Sequence, residues 1–292
     1  MIRKIAIIGA GGRMGTWFSK YFSLRKGITL KICDIDASSI KSSANITVSE
    51  DIIHCVDGAD LVLVCVPISE VPRTIRECAI KMKPGAILAE ISSIKYRSAK
   101  ELKKVPNHVK PLCIHPMFGP AAPSLNLMKI ILIPMRDETN ELRILEELFE
   151  GSVVSIIHAA KTHDRIMSII LGLTYFTNLV FANFISKQDY QSLRQFSGTT
   201  FRIQSLLCTS ILLDEPDLIV ALLSQNSTVQ KQIRKYLLDA RKLERLLYGR
   251  NQFRLKLKLE RLKSFYQEQE SLEFSYAQMY RIISCLNKSD GG

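Results

Sequence analysis

An apolar run from Ile2 to Ile8, broken only by Arg3 and Lys4, ends directly in Gly9-Ala10-Gly11-Gly12-Arg13-Met14-Gly15. A helical stretch from Thr16 to Leu24 follows. A continuous apolar run of this length reads as a buried parallel strand, since a half-exposed strand would alternate. Glycines let the backbone approach a bound group closely, and the start of the next helix offers unsatisfied N–H groups to an anion. Strand, glycine turn and helix in this order form the arrangement of a dinucleotide pyrophosphate site. The spacing is not the plain G-x-G-x-x-G, because Ala10 takes the first place before Gly12 and Gly15. The run also reads as G-x-x-G-x-x-G through Gly9, Gly12 and Gly15. A glycine turn alone is a weak signal; its place after the first strand gives it force. Gly9, Gly12, Arg13, Met14 and Gly15 are therefore candidate cofactor contacts.

A second strand, Ile28 to Cys33, ends in Asp34, 34 − 15 = 19 residues after Gly15. An acid about 20 residues past the glycines accepts from a ribose 2′-hydroxyl and repels a 2′-phosphate. Asp34 thus points to NAD, with NADP as the alternative. The competing reading has Asp34 and Asp36 simply shaping a turn.

Strand-like and helix-like segments then alternate. Asp51 to Val56, Val71 to Met82 and a stretch from Ser98 read as helices, and Leu61 to Val66 and Ala86 to Ile91 as buried strands. Strands at Lys129 to Pro134 and Val153 to Ile157 flank a helix at Glu138 to Phe149. Such alternation predicts an α/β, doubly wound (Rossmann-type), mostly parallel domain over residues 1–160. From Lys161 onward almost nothing reads as strand, so residues 161–292 are expected to form an all-α C-terminal domain. His163 to Ile185 reads as one long helix, and Ile166 to Ile185 carries no charged side chain. That length matches a membrane span. Ser168, Thr174, Thr177, Asn178 and Asn183 interrupt it, and the simpler expectation is the centre of a helical domain or a dimer core. Ser205 to Leu213, Pro216 to Leu223 and Val229 to Leu247 continue as helices, and Asn287 to Gly292 as a frayed tail.

The net charge of +12 admits nucleic acid, an anionic membrane or an acidic small substrate. Arg250, Arg254, Lys256, Lys258, Arg261 and Lys263 alternate with apolar residues. Too few aromatics are interleaved for a base-stacking platform, so these are read as the solvated face of an amphipathic helix rather than a nucleic-acid site. The seven cysteines include no C-x-x-C pair, which predicts reduced, buried thiols in a cytoplasmic protein, with no zinc site and no disulfide framework. The opening apolar run stops at Gly9, too early for a signal peptide.

One further stretch carries chemistry. An apolar run, Val109 to Ile114, leads into His115-Pro116-Met117-Phe118-Gly119-Pro120. Two prolines and a glycine are expected to stop the strand and hold His115 on a stiff loop past its end. Ligands of open α/β sheets bind at that edge, and imidazole exchanges protons near neutral pH with little tuning. A histidine that merely bonds a neighbouring carbonyl is the competing reading.

Taken together, these motifs resemble the prephenate/arogenate dehydrogenase family of tyrosine biosynthesis. The glycine turn, Val64-Cys65-Val66-Pro67-Ile68, Ser92-Ser93-Ile94-Lys95 and the His115 loop match in order and spacing. His163-Asp164-Arg165-Ile166-Met167-Ser168, Thr200-Phe201-Arg202 and Asp214-Glu215-Pro216 match further on. The resemblance implies NAD-dependent oxidative decarboxylation of prephenate to 4-hydroxyphenylpyruvate, or of arogenate directly to tyrosine. It implies that His115 accepts the 4-hydroxyl proton, Ser93 orients that hydroxyl, and Arg202 pairs with the ring carboxylate. It places His163 and Tyr175 against the substrate, and Val66 and Pro67 against the cofactor. The all-helical second half, with its apolar central helix, is expected to form a homodimer interface, since twofold homodimers are the commonest assembly, with no nucleic-acid or membrane partner. The chain departs from the family at Tyr175, in Leu173-Thr174-Tyr175-Phe176, where members often carry a histidine. No chorismate mutase region or regulatory domain is expected at either end. Two remoter readings are a dihydrodipicolinate reductase-like enzyme, whose histidine-pair and lysine loop this chain lacks, and a non-catalytic dinucleotide-fold binding protein.

Overall fold

The computed structural model describes residues 2–36, 43–49, 51–248 and 252–289. Arg250 and residues 290–292 of the expected tail lie outside the described residues. The chain divides into two compact units, Met1–Met167 and Ser168–Gly292.

The first unit runs β1 (Lys4–Ile8), α1 (Arg13–Ser23), β2 (Thr29–Cys33), β3 (Ile46–Val48), α2 (Ile52–Val56), β4 (Leu61–Val64), α3 (Val71–Ala79), β5 (Ile87–Glu90), α4 (Tyr96–Leu102), β6 (Lys110–Pro116), β7 (Lys129–Ile133), α5 (Glu138–Leu148), β8 (Val153–Ile156) and α6 (Ala160–Met167). Its strands form one sheet in the order β3-β2-β1-β4-β5-β6-β7-β8. Every neighbouring pair is parallel except β6 and β7. This is the doubly wound α/β fold expected from the alternation. The residues of β4 are wholly buried because helices cover both faces of a parallel sheet. After β1 the chain builds β2 and β3 on one side, then returns to lay β4 on the other. The glycine turn thus sits at the crevice where such sheets bind ligands.

The three-residue edge strand β3 was not foreseen, and Cys65 and Val66 lie just past β4 rather than in it. A larger correction concerns His115. It is not on a loop past a strand end. His115 and Pro116 are the last residues of β6, opposite Ile131 and Ile130 of β7. Strand residues direct N–H groups alternately to either side. Met117 N–H donates to Lys129 O on the β7 side (2.8 Å). Pro116's nitrogen therefore faces the other side, where pairing with β5 has already stopped at Cys113. A proline costs no ladder bond there.

The second unit is entirely helical among its described residues. It opens with a π-helical turn, Ser168–Leu173, followed by α7 (Thr174–Ile185), α8 (Tyr190–Gln195), α9 (Thr199–Ile211), α10 (Pro216–Ser224), α11 (Val229–Tyr248), α12 (Gln252–Gln269) and α13 (Leu272–Ser289). The predicted single helix from His163 to Ile185 is thus interrupted by π-type winding. Gly172 sits within that turn, and a Cβ there would lie 2.5 Å from Val229 Cγ2. The turn brings a bare backbone against the start of α11, which a larger residue would prevent.

The apolar helix does not form a closed centre of the chain. The stretch Ala160–Ile185 is long and apolar enough to cross a membrane, yet only 17% of its most apolar window is buried. Ile169, Ile170, Val180 and Phe184 are exposed. Nor does α12 have a buried face to set against its basic one. None of its residues is buried, and Phe253, Leu259 and Phe265 are exposed.

Candidate active site

The glycine turn closes against its neighbours so tightly that two positions admit no side chain. Gly9 has φ +83°, and a Cβ on it would lie 2.8 Å from the Cys65 carbonyl carbon. A Cβ on Gly15 would lie 2.0 Å from Gly9 O. Asp34 receives the turn: its Oδ2 accepts from Gly11 N–H at 2.8 Å, and its Oδ1 from Asp36 N–H at 3.1 Å. Gly9, Gly12, Asp34, Val66 and Pro67 line one cleft of about 680 Å³. Arg13 begins α1, Met14 packs on the core and Gly15 is buried, so these three support the cradle rather than line the cleft. Bare backbone at a helix start, beside an acid at the end of β2, suits a pyrophosphate and a ribose hydroxyl pair.

A second group of side chains converges on the end of β6. Glu90, at the end of β5, is fully buried with Lys95, and their side chains meet at 2.6 Å. Burying a charge is costly unless it is paired and fully hydrogen-bonded, and this pair is. Glu90 Oε1 accepts from Lys95 Nζ, Ser98 Oγ (3.1 Å) and Cys113 Sγ (3.1 Å). Its Oε2 accepts from Ser92 N–H at 2.9 Å and Ser92 Oγ at 2.6 Å. Lys95 Nζ also donates to the carbonyls of Glu90 and Ile114. Ile114 immediately precedes His115, so the ion pair pins the backbone that carries the imidazole.

His115 is buried, and its Nδ1 lies 2.9 Å from Nε2 of His163 on α6. His163 Nδ1 lies 2.9 Å from Asp164 Oδ1. Asp164 also caps α4, accepting from Lys95 N–H (2.8 Å) and Tyr96 N–H (2.9 Å). Desolvation holds the His115 imidazole well below its usual proton affinity, with the Lys95 ammonium and then His163 adding to the effect. Burial also lowers His163, while its hydrogen bond to Asp164 works the other way. A neutral imidazole beside a strand end is suited to accept a proton.

Ser93 is half-buried in the turn after β5, with no side-chain hydrogen bond to another described residue. Ser92, one residue earlier, is the serine committed to Glu90. Tyr175 and Arg202 belong to the helical unit. Tyr175 donates to Asp214 Oδ2 at 2.6 Å. Arg202 donates to Asn287 Oδ1 at 2.7 Å and lines a pocket of about 490 Å³ with Arg194, Ser205 and Tyr190. Sequence reasoning passed over Glu90, Lys95 and Asp164 as functional groups. An acid at the end of an otherwise apolar strand, with a lysine five residues on, was the available signal. Among the described residues no disulfide is formed and no cluster of three metal-ligating side chains occurs.

The fold and cradle define a protein of the dinucleotide-binding α/β class with an appended helical unit. Residues 23–158 match the family model described as the prephenate dehydrogenase nucleotide-binding domain, and residues 159–261 the one described as its dimerization domain. The chain belongs to the prephenate dehydrogenase family. The matched region begins past the glycine turn, which rests on the geometry above. A probable arogenate/prephenate dehydrogenase of Methanocaldococcus jannaschii is 29% identical over 224 residues, covering 73% of this chain and 49% of that protein. The chain spans about half the length of the curated relatives it matches. A prephenate dehydrogenase from A. aeolicus, solved with hydroxyphenyl propionate and NAD+, has a TM-score of 0.72 at 17% identity, over 92% of this chain and 99% of that one. Synechocystis arogenate dehydrogenase gives 0.68 at 17%, over 91% and 100%.

Proposed function

We propose that the chain is an NAD-dependent oxidoreductase that converts prephenate to 4-hydroxyphenylpyruvate with loss of the ring carboxylate as carbon dioxide. The observation that carries this reading is His115, a buried imidazole kept neutral and anchored at the end of β6 in a chain of this family. Aromatisation drives the step, so the protein's task is to position and polarise. The chemistry a bound nicotinamide supplies is acceptance of hydride from C4 of the ring. His115 Nε2 takes the 4-hydroxyl proton, Ser93 orients that hydroxyl, and Arg202 pairs with the ring carboxylate through its planar fork. Gly9, Gly12, Asp34, Val66 and Pro67 hold the dinucleotide.

Arogenate is the second reading, and Tyr175 favours it. In place of the family's frequent imidazole, this chain offers a tyrosine hydroxyl bound to the Asp214 carboxylate. A carboxylate there suits the ammonium of an amino-acid side chain better than the keto group of prephenate. Both substrates assayed with both cofactors decide the matter. NAD should give the higher kcat/KM, because Asp34 leaves no room for a 2′-phosphate and repels its charge. A clear preference for NADP would remove Asp34 from that role, and absence of turnover with all four combinations would end the oxidoreductase reading.

The helical unit is proposed to form a homodimer in the cytoplasm, without nucleic acid or membrane. Its exposed apolar side chains on the π-helical turn, α7 and α12 need cover, and a second copy supplies it. Light scattering should report a dimer without detergent. A stable monomer, or a protein extracted only with detergent, would contradict this.

A further inference from the structure

We propose that Asp164 and His163 set the ring tautomer of His115 and provide the second resting place for the proton it takes, so that the base is a pair of histidines. This rests on the reading of His115 as the base.

A carboxylate oxygen only accepts hydrogen bonds. His163 Nδ1, 2.9 Å from Asp164 Oδ1, therefore carries the hydrogen. Two backbone donors fix Asp164 in place, Lys95 N–H on the same Oδ1 and Tyr96 N–H on Oδ2. A neutral His163 with hydrogen on Nδ1 has its lone pair on Nε2. That nitrogen lies 2.9 Å from His115 Nδ1, which must then be the donor. The alternative tautomer of His115 would set two lone pairs against each other in a buried site. The lone pair of His115 is thus left on Nε2, a nitrogen with no hydrogen bond among the described residues.

The same chain relocates charge. The charged and titratable groups around His115 are Lys95 and Glu90 from β5 and its turn, Cys113 on β6, and His163 and Asp164 on α6. On β7 the residue opposite is Ile131. Glu90 and Lys95 offset each other, and a proton left on His115 would sit in the driest position beside the Lys95 ammonium. When the substrate O–H bond breaks and an N–H bond forms at His115 Nε2, the Nδ1–H bond breaks and its proton joins His163 Nε2. No electrons are transferred in this exchange. His115 becomes neutral again, and the charge rests on His163 against Asp164. The aromatic product regains an O–H, so the exchange runs backwards and no proton is released. Burial depresses both rings, but Asp164 opposes the effect only at His163.

The test needs no ligand at first. Long-range 1H–15N spectra of 15N-histidine protein, with His115 assigned from the His115→Asn spectrum, should show hydrogen on Nδ1 and a bare Nε2. Hydrogen on Nε2 overturns the proposal whether or not the enzyme is active. His163→Phe removes the acceptor while sparing the cap on α4. His115 should lose its tautomer preference, kcat should fall by roughly 10²-fold, and the acid limb of kcat/KM should move to lower pH. His163→Gln, whose Oε1 accepts from Nδ1, should restore the tautomer and part of kcat. Should the Phe variant not fold, Asp164→Ala serves. It removes the acceptor that fixes hydrogen on His163 Nδ1, so His115 should lose its tautomer preference. An unchanged tautomer and acid limb in the folded variant sinks the proposal. If His115→Asn keeps full activity, the reading of His115 as base fails, while the tautomer measurement still decides the relay.

Discussion

Replacing His115 with asparagine should lower kcat by about 10²- to 10⁴-fold with dinucleotide affinity nearly unchanged. The asparagine amide can still reach toward His163, so the packing at the end of β6 is largely kept. What it lacks is a basic nitrogen facing the substrate. A loss of less than about threefold would show that the histidine is a structural residue. The pH profile supplies a second measure. His115 has its proton affinity depressed by burial and by Lys95, so the acid limb of kcat/KM should lie below the ordinary histidine value of 6.5. Stability has a matching dependence. A histidine whose folded value is lowered binds fewer protons folded than unfolded once the pH drops below 6.5. Its penalty is absent above that pH and grows as the pH falls toward the folded value. The asparagine variant should therefore lose less stability on acidification than the parent, as urea unfolding at several pH values would show. His163 stays in place and retains its own share of the dependence.

The parts of this molecule that announce themselves in sequence are those where one physical demand dominates. Parallel strands buried on both faces must be continuously apolar, so β1, β4 and β5 were legible to within two residues at either end. The glycine turn was legible because Gly9 and Gly15 admit no Cβ. Legibility failed where a local rule was overridden by neighbours. Pro116 predicted an end to the strand, yet its nitrogen faces a side with no partner strand, and β6 runs through it. The contact between His163 and His115 could not be read from the chain: His163 falls within the residues matched by the dimerization-domain model, yet its contacts group it with the sheet unit and its Nε2 lies 2.9 Å from His115 Nδ1. Consecutive residues on a helix point about 100° apart, and nothing in the chain order says that His163 and Asp164 reach two different neighbours. The Glu90–Lys95 pair is a tertiary fact of the same kind. The basic stretch in α12 misled in the other direction: a charged face implies an amphipathic helix only where the opposite face has a partner within the chain.

On the proposed pairing of Arg202 with the ring carboxylate, the substitution Arg202→Gln should raise KM about ten- to a hundredfold and change kcat less, because such an ion pair would already form in the ground state. The magnitude follows from the setting. Truncating one partner of a buried, hydrogen-bonded charge pair costs about 2–5 kcal/mol. Arg202 is only half-buried and already donates to Asn287, so solvent screening reduces that figure. A tenfold to hundredfold change corresponds to about 1.4–2.7 kcal/mol. Glutamine keeps much of the bulk and can still bond Asn287, so the change isolates the charge. Arg202→Lys should recover part of the loss, since an ammonium restores the charge without the two-pronged geometry. Arg194 lines the same pocket, and Arg194→Gln provides the control for general electrostatic attraction. An equal rise in KM for the two glutamine variants would mean that the pocket attracts anions without placing the ring carboxylate on Arg202. An unchanged KM for Arg202→Gln with an intact fold would leave Arg202 as one of forty basic residues and take the ring carboxylate's partner out of α9.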